Sequence, residues 1–238
     1  MLRTMQVKEG KKEQVREMFN NISGKYDFLN HFLSMGIDVL WRKKLVRKLK
    51  KEEPERILDV ATGTGDLAIT ALRTNAKEIV GIDISEGMLE VGKQKIKKKG
   101  LEGKIKMQLA DSENLPFEND SFDASMVAFG VRNFENLDKG LGEMYRCISP
   151  KGSIWVLEFS KPRKFPIKQL YNFYFKNILP LIGRMVSKDD FAYTYLPESV
   201  QEFPDGKNFI AHLEKAGFKS CKIIPVSFGI ASIYVGYK

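Results

Sequence analysis

Three carboxylates stand where apolar runs of this sequence give out. Asp59 lies within Ile57-Leu58-Asp59-Val60-Ala61-Thr62-Gly63-Thr64-Gly65-Asp66; Asp83 closes Val80-Gly81-Ile82-Asp83, 20 residues after Gly63; Asp111 follows Leu109-Ala110. A glycine turn at the end of an apolar strand lets the backbone approach a ligand closely, and an acid ending the next strand can accept hydrogen bonds from ribose hydroxyls. An acid at a third strand end can accept from an adenine amino group, with Leu115 flanking the ring. Taken singly, each has an ordinary structural reading as a turn acid or a first-turn helix acid. Their agreement at the carboxyl edge of one sheet is what points to a nucleoside-bearing ligand.

Two ligands share that ribose. The letters Gly63-x-Gly65-x-x-Ala68 satisfy the dinucleotide fingerprint, so a nicotinamide oxidoreductase is one of the readings to be weighed. A diphosphate needs free amides and a positive helix end. Here Asp59 and Asp66 flank the glycines, and their charge repels a diphosphate but suits an amino-acid moiety with an ammonium group. Charge at the turn therefore favours S-adenosylmethionine, with Asp59, Gly63, Gly65, Asp83 and Asp111 around it.

The elements that must position these residues follow from the pattern. Strands are expected at 56–60, 78–82, 104–109, 122–128 and 153–159, alternating with helices at 65–73, 86–99 and 136–147, which predicts a parallel sheet with right-handed crossovers. Residues 219–226 and 230–237 read as two further strands pairing antiparallel at the sheet edge, completing seven. Upstream, residues 11–51 read as helices, with Val15, Met18, Phe19 and Ile22 on one face and a second apolar cluster of Phe28, Leu29, Phe32, Leu33 and Met35. Helical segments are expected at 165–184, interrupted at Pro180, and at 206–216, capped by Gly217. Pro150-Lys151-Gly152 reads as a turn. The expected organisation is one α/β domain over 1–238: a helical cap (11–51), a nucleoside-binding core (52–160) and substrate-side helices with a C-terminal hairpin (161–238).

Composition narrows the class. The 238 residues, 43% hydrophobic and 29% charged, suit one folded α/β domain. The net charge of +9 concentrates in Arg42, Lys43, Lys44, Arg47, Lys48, Lys50, Lys51 and in Lys93, Lys95, Lys97, Lys98, Lys99. Both runs read as solvated helix faces, with an anionic membrane surface as the functional reading; no nucleic-acid module accompanies them. Cys147 and Cys221 show no metal-ligand spacing and read as small buried residues of a reducing compartment. His31 and His212 stand apart from any acid or thiol cluster, so no metal site is expected. The charge-free stretch Ile223–Tyr237 is 15 residues, short of a membrane span, and no apolar signal core opens the chain, so a cytoplasmic protein is expected.

Several segments together resemble one family, the S-adenosylmethionine-dependent C-methyltransferases that act on demethylmenaquinol and polyprenyl-benzoquinol. Its signature Y-D-x-M-N-x-x-L-S-x-x-x-H-x-x-W is similar to Tyr26-Asp27-Phe28-Leu29-Asn30-His31-Phe32-Leu33-Ser34 through Trp41. Its second signature resembles Arg146-Cys147-Ile148-Ser149-Pro150-Lys151-Gly152 through Leu157-Glu158-Phe159-Ser160, and its F-G-x-R-N segment resembles Phe129-Gly130-Val131-Arg132-Asn133. The resemblance implies a class I, Rossmann-like methyltransferase fold, and cofactor contacts at Thr64, Asp83, Asp111, Ser112 and Ala128. Three positions depart from the pattern. Leu29 stands for methionine, Asp38 for the signature histidine, and Ala128 for a serine found in some members, leaving only backbone contact there. Packing of the cap is the expected role of Asp38.

Methyl transfer to a ring carbon is an in-line displacement that needs close approach of the two groups, exclusion of water and help in forming a phenolate. Arg132 and Asn133, after the fourth strand, are the candidates for that help, with Asp111 as the final proton acceptor. Arg132 has an alternative as the structural partner of an acid such as Asp111 or Glu158. The aromatics Phe165, Tyr171, Phe173, Tyr174, Phe175, Phe191, Tyr193 and Tyr195 read either as core or as the wall of a channel for a polyprenylated quinol. Peripheral contact with an anionic membrane and pairing of two subunits through the cap are further expectations.

Overall fold

The computed structural model describes residues 10–34, 36–174, 177 and 190–238. A seven-stranded sheet forms its centre: β1 (Arg56–Val60), β2 (Glu78–Asp83), β3 (Ile105–Leu109), β4 (Phe122–Ala128), β5 (Ile148–Phe159), β6 (Lys219–Val226) and β7 (Ala231–Tyr237). Their order is β3-β2-β1-β4-β5-β7-β6. The β1–β5 pairings are parallel, and β7 runs antiparallel to both β5 and β6. The order reverses between β1 and β4, so a crevice opens beyond their carboxyl ends, where open α/β sheets bind ligands.

Both faces of the sheet are covered, which is why its strands read as nearly continuous apolar runs. Side chains alternate between two cores. Ile57, Ile79, Met126, Trp155 and Leu157 face one, with Leu45 and Leu49 of α2 (Ile37–Leu49) and Leu67 and Ala71 of α3 (Asp66–Ala71). Leu58, Val60, Ile82, Val127 and Val156 face the other, with Leu141 and Met144 of α5 (Leu137–Cys147) and the Phe209 and Leu213 side chains of a helix over Lys207–Lys215. Helix α4 (Glu86–Lys98) is capped by Ser85, whose hydroxyl accepts from the Met88 amide. Helix α1 (Lys11–Leu33), about 35 Å long at 1.5 Å per residue, lies against α4.

Four expectations need correction. The Pro150-Lys151-Gly152 turn lies inside β5, as an irregularity opposite Phe122 and Ala124 with Lys151 at φ 70°. The segment after α6 (Ile167–Phe173) contains a helix the sequence pattern did not suggest, α7 (Asp190–Glu202), because Pro197 sits inside it; the Lys207–Lys215 helix is therefore α8. Cys221 is only partly buried, on β6 at the sheet edge, unlike the fully buried Cys147. The basic runs are not wholly solvated: Arg42 is buried, and Lys95 is bonded inward. The side chains of Phe28, Leu29, Phe32, Leu33, Phe191 and Tyr193, together with Met35, Phe175 and Pro180, lie outside the described residues. No described helix is long and apolar enough to cross a membrane.

The crevice is narrowest where β1 and β4 end. Ala61 and Phe129, the residues just beyond these strands, both have positive φ (52° and 59°), and a Cβ on Gly130 would lie 2.5 Å from the Ala61 Cβ. Gly130→Ala is therefore expected to lower the free energy of unfolding in urea by about 1–3 kcal/mol through overpacking. Gly142→Ala, in α5 with open space around it, is expected to raise it by up to about 1 kcal/mol.

Candidate active site

The turn after β1 is bonded to the acid that ends β2. Gly63, at φ 56°, donates its amide to Asp83 Oδ2 at 2.8 Å, and the Ser85 amide donates to Asp83 Oδ1 at 2.9 Å. Burial pushes the Asp83 carboxyl above its ordinary range, against the backbone amides that favour its charge. Asn20 of α1 joins the same cluster: its Oδ1 accepts from the Ser85 hydroxyl at 2.7 Å and from the Gly87 amide at 3.0 Å.

A cleft opens beside this turn. Gly63, Asp83, Asp111, Ser112, Ala128 and Asn133 line it from the sheet side. Lys12, Val15, Phe19 and Tyr26, all on one face of α1, close it from above. A second cleft shares Tyr26, Ala61, Gly63, Ala128 and Phe129 with the first and adds Asp59, Thr62, Thr64, Asp66 and Arg42. The two form one bent cavity around Gly63, with the Tyr26 ring over it; a Cβ on Gly63 would lie 3.9 Å from the Tyr26 Cε1.

Of the expected cofactor contacts, Gly63, Asp83, Asp111, Ser112, Ala128, Asp59 and Thr64 all border this cavity. Gly65 does not. It provides the left-handed turn before α3 (φ 82°), and the side chain of Met107 lies behind it. Asp59 is buried with Oδ2 accepting from the Thr62 hydroxyl at 2.6 Å, while Oδ1 has no hydrogen-bond partner among the described residues. Burial drives its pKa up to about 7. Thr64 gives its hydroxyl to Asp27 of α1 at 2.5 Å and accepts from Lys95 at 3.0 Å. Asp66, expected beside the ligand ammonium, instead accepts from Lys95 at 2.6 Å and from Arg42 at 3.3 Å.

The catalytic candidates separate. Asn133 lines the cleft, and its Oδ1 accepts from the Tyr195 hydroxyl at 3.0 Å. Arg132, one residue earlier, is not part of the cavity wall. Its guanidinium donates to Glu158 Oε1 at 2.8 Å and to the Phe129 carbonyl at 2.5 Å, and lies 5.7 Å from the centre of the Phe159 ring. Glu158 is fully buried, and burial raises its carboxyl despite the guanidinium. The structural alternative for Arg132 is thus the one the geometry brings out. Asp111 is occupied too: Oδ2 accepts from Lys12 at 2.7 Å and Oδ1 from the Glu113 amide at 2.9 Å, which leaves it poorly placed to take a ring proton. Asp38 packs as expected, accepting from Arg42 at 2.6 Å and from Ser34 at 2.6 Å.

Residues the sequence reasoning missed come mostly from α1. Lys12, Val15, Phe19 and Tyr26 share the helical face already visible in Val15, Met18, Phe19 and Ile22, so the signal was present but read as core. Lys12 and Lys95 were hidden inside a generally basic composition. Among the described residues no group of His, Cys, Asp and Glu could hold a metal ion.

The whole chain matches known proteins. The family model described as the ubiE/COQ5 methyltransferase family matches residues 5–238. A demethylmenaquinone methyltransferase of Bacteroides fragilis is 46% identical over 232 residues, 97% of this chain and 95% of its own. The ubiquinone/menaquinone biosynthesis C-methyltransferase UbiE of Geotalea daltonii is 48% identical over 230 residues, covering 96% and 97%. Among solved structures, an S-adenosylmethionine-dependent methyltransferase of Thermotoga maritima superposes with a TM-score of 0.66 at 20% identity, covering 93% of this chain and 99% of that one. The cyclase SpnF superposes at 0.67 and 17% identity, covering 97% of each. These two show the fold alone, and the cyclase illustrates how little a fold constrains chemistry.

Removing one member of the Arg132–Glu158 pair leaves the other charge buried alone. Arg132→Ala is expected to cost about 3–5 kcal/mol of stability near neutral pH, read by denaturant unfolding. Since the folded state already holds Glu158 above its unfolded pKa, the unpaired carboxyl becomes cheaper to bury as pH falls and it binds a proton. The loss should therefore be larger at pH 8 than at pH 5, and Glu158→Gln in the same background should recover most of it.

Proposed function

The chain belongs to the ubiE/COQ5 methyltransferase family, and we propose that it methylates a ring carbon of a polyprenylated quinol at the cytoplasmic face of a membrane, with S-adenosylmethionine held in the bent cavity. It is an S-adenosylmethionine-dependent C-methyltransferase. The ring is that of demethylmenaquinol, yielding menaquinol, or of 2-methoxy-6-polyprenyl-benzoquinol; the relatives are named for demethylmenaquinone and for ubiquinone/menaquinone biosynthesis. The single observation that supports the site is the Gly63 amide on Asp83 at the junction of two connected clefts. The whole chain acts as one unit: 11–51 covers the cofactor, 52–160 binds it and 161–238 faces the substrate.

The residues present fit the cofactor. Asp83 keeps lone pairs for ribose hydroxyls, and Ser112 with Asp111 borders the end where adenine would lie. Asp59, one of whose buried oxygens has no hydrogen-bond partner among the described residues, borders the second cleft together with Arg42. An amino-acid end carries both an ammonium and a carboxylate, and the second cleft, lined by Asp59, Asp66 and Arg42, offers groups of both signs to it. Gly63 and Ala61, at positive φ, let the chain pass close beneath. The cofactor supplies an electrophilic methyl group on a sulfonium.

The protein's own groups must hold the ring carbon against that methyl and favour loss of the adjacent hydroxyl proton. Asn133 is the group for this. The Tyr195 hydroxyl fixes its carbonyl oxygen, so the amide N–H groups are the ones free to turn toward the cleft and stabilise a phenolate oxygen. Arg132 acts from behind the wall, as a positive charge held by Glu158. Transfer would break the sulfur–methyl bond as the ring-carbon–methyl bond forms, and the ring proton would then pass to bulk solvent outside the covered cleft, restoring aromaticity. The aromatic cover of Phe19, Tyr26 and Phe134 excludes water from the reacting atoms.

Incubation with S-adenosylmethionine and each reduced quinone precursor, followed by mass spectrometry, tests the reading directly. One added methyl on at least one ring supports it; cofactor binding without transfer to either ring overturns it. Asn133→Ala is expected to lower kcat about 100-fold with cofactor affinity unchanged, and Tyr195→Phe to lower it less.

Asp59 gives an independent check. Its pKa of about 7 in the folded protein falls when an ammonium arrives beside it, because the opposite charge favours the ionised form. Cofactor binding should release about one proton near pH 6, a release that fades above about pH 8. Calorimetry in buffers of different ionisation heat reads this, and Asp59→Asn should abolish it while weakening affinity.

A further inference from the structure

The turn between β6 and β7 exposes an aromatic ring at a backbone cost. Ser227, Phe228 and Gly229 are all at positive φ (43°, 57° and 91°), a region that phenylalanine rarely adopts. The Phe228 ring is nonetheless 83% exposed. Across an open groove lies Phe165, 81% exposed, and beyond it Leu170 and Phe173 of α6 are also exposed. Pro162, Ile167, Ile223 and Pro225 floor the groove between the two rings. Neither strain nor exposure of such rings stabilises the isolated chain, so the feature calls for something that covers it.

Cations surround this apolar face. Arg163, Lys164, Lys168 and Lys207 are exposed around it. The acid that lines the groove, Asp205, is buried and already lies 3.7 Å from Lys161 and 3.9 Å from Arg163. A second copy of this chain, docked by the same patch, would set these cations against themselves. A bilayer with anionic headgroups meets both chemistries at once: phosphates for the cations, acyl chains for the rings.

We propose that the Phe165–Phe228 face is a docking surface for an anionic lipid bilayer, with the two rings below the headgroups and Arg163, Lys164, Lys168 and Lys207 among them. The proposal deepens the polyprenyl-quinol reading and rests on it for its purpose. A chain of buried contacts runs from the β6–β7 turn to the residues of the active-site cavity. Ser227 accepts the Trp41 indole N–H at 2.8 Å; the Trp41 ring centre is 6.1 Å from those of Phe129 and Phe159, and Phe129 lines the cofactor cleft.

Co-sedimentation of the full chain with vesicles tests it, using phosphatidylcholine alone and phosphatidylcholine with about one-third phosphatidylglycerol. The wild-type chain should bind the anionic vesicles strongly and the neutral ones weakly. Phe165→Ser with Phe228→Ser should weaken binding at least about tenfold, and Lys164→Gln with Lys168→Gln about fivefold for each charge removed. Thermal melts of the phenylalanine variant should match wild type, because both rings lie outside the core. Equal vesicle binding by wild type and variants overturns the proposal. So does a wild-type dimer in sedimentation velocity that the phenylalanine variant dissolves while vesicle binding is absent. Methyl transfer to a soluble short-chain quinol reads the underlying function separately: it should survive in the phenylalanine variant, and its absence from wild type would count against the quinol reading whatever the vesicles show.

Discussion

The hydrogen bond from the Gly63 amide to Asp83 fixes the geometry on which the rest of the site depends. It ties the loop after β1 to the end of β2, so that the glycine turn cannot fold down over the crevice. The second oxygen of the same carboxylate takes the Ser85 amide, and the Ser85 hydroxyl in turn bonds Asn20 of α1. One carboxylate thus orders the turn, the start of α4 and the helix above the cavity. Its burial, which disfavours charge, is offset by two backbone amides, the kind of local polar satisfaction a buried acid requires.

A chain of charges performs a similar task at the other end of the cavity. Asp27 of α1 bonds Lys95 of α4, which bonds Asp66 of α3; Asp66 also meets Arg42 of α2, and Arg42 pairs with Asp38. Helices α1, α2, α3 and α4 are thereby linked by charge around the second cleft, in addition to the apolar core that α2, α3 and α4 share. Most of these groups are partly exposed, so each pair contributes little alone. Arg42 and Asp38 are the buried exception, and there the loss of one partner leaves a costly charge behind. Asp38 therefore has a structural task sufficient to explain it, with no proton to move.

The strand ends were legible in the sequence because strand periodicity and glycine turns are local signals: Gly63, Asp83 and Asp111 all emerge on one rim of the sheet. The order of β6 and β7 was half legible. Two adjacent apolar strands suggest a hairpin, yet nothing local says that β7 inserts between β5 and β6. Helix α7 was hidden by Pro197, and the irregular start of β5 by a Pro-Lys-Gly sequence that ordinarily makes a turn. Side-chain direction was the least legible property. Gly65 and Arg132 stand beside site residues in the chain, but one backs onto Met107 and the other points to Glu158. Adjacent residues of a turn face different ways, and spacing alone does not say which.

Pairing of the acids also bears on which nucleoside ligand the cavity suits. Asp66 has Lys95 and Arg42; Asp111 and Glu113 have Lys12. Asp59 and Asp83 instead rely on a threonine hydroxyl and backbone amides, with no cation within ion-pair distance among the described residues. The acids without a cationic partner therefore stand on either side of Gly63. A diphosphate at this turn would meet two buried acids, and the first turn of α3 carries Asp66 as well. A ligand bearing a sulfonium and an ammonium brings the missing positive charge to the same place. Of the two cofactor classes that share the glycine pattern, this arrangement of acids suits the methyl donor better than the dinucleotide.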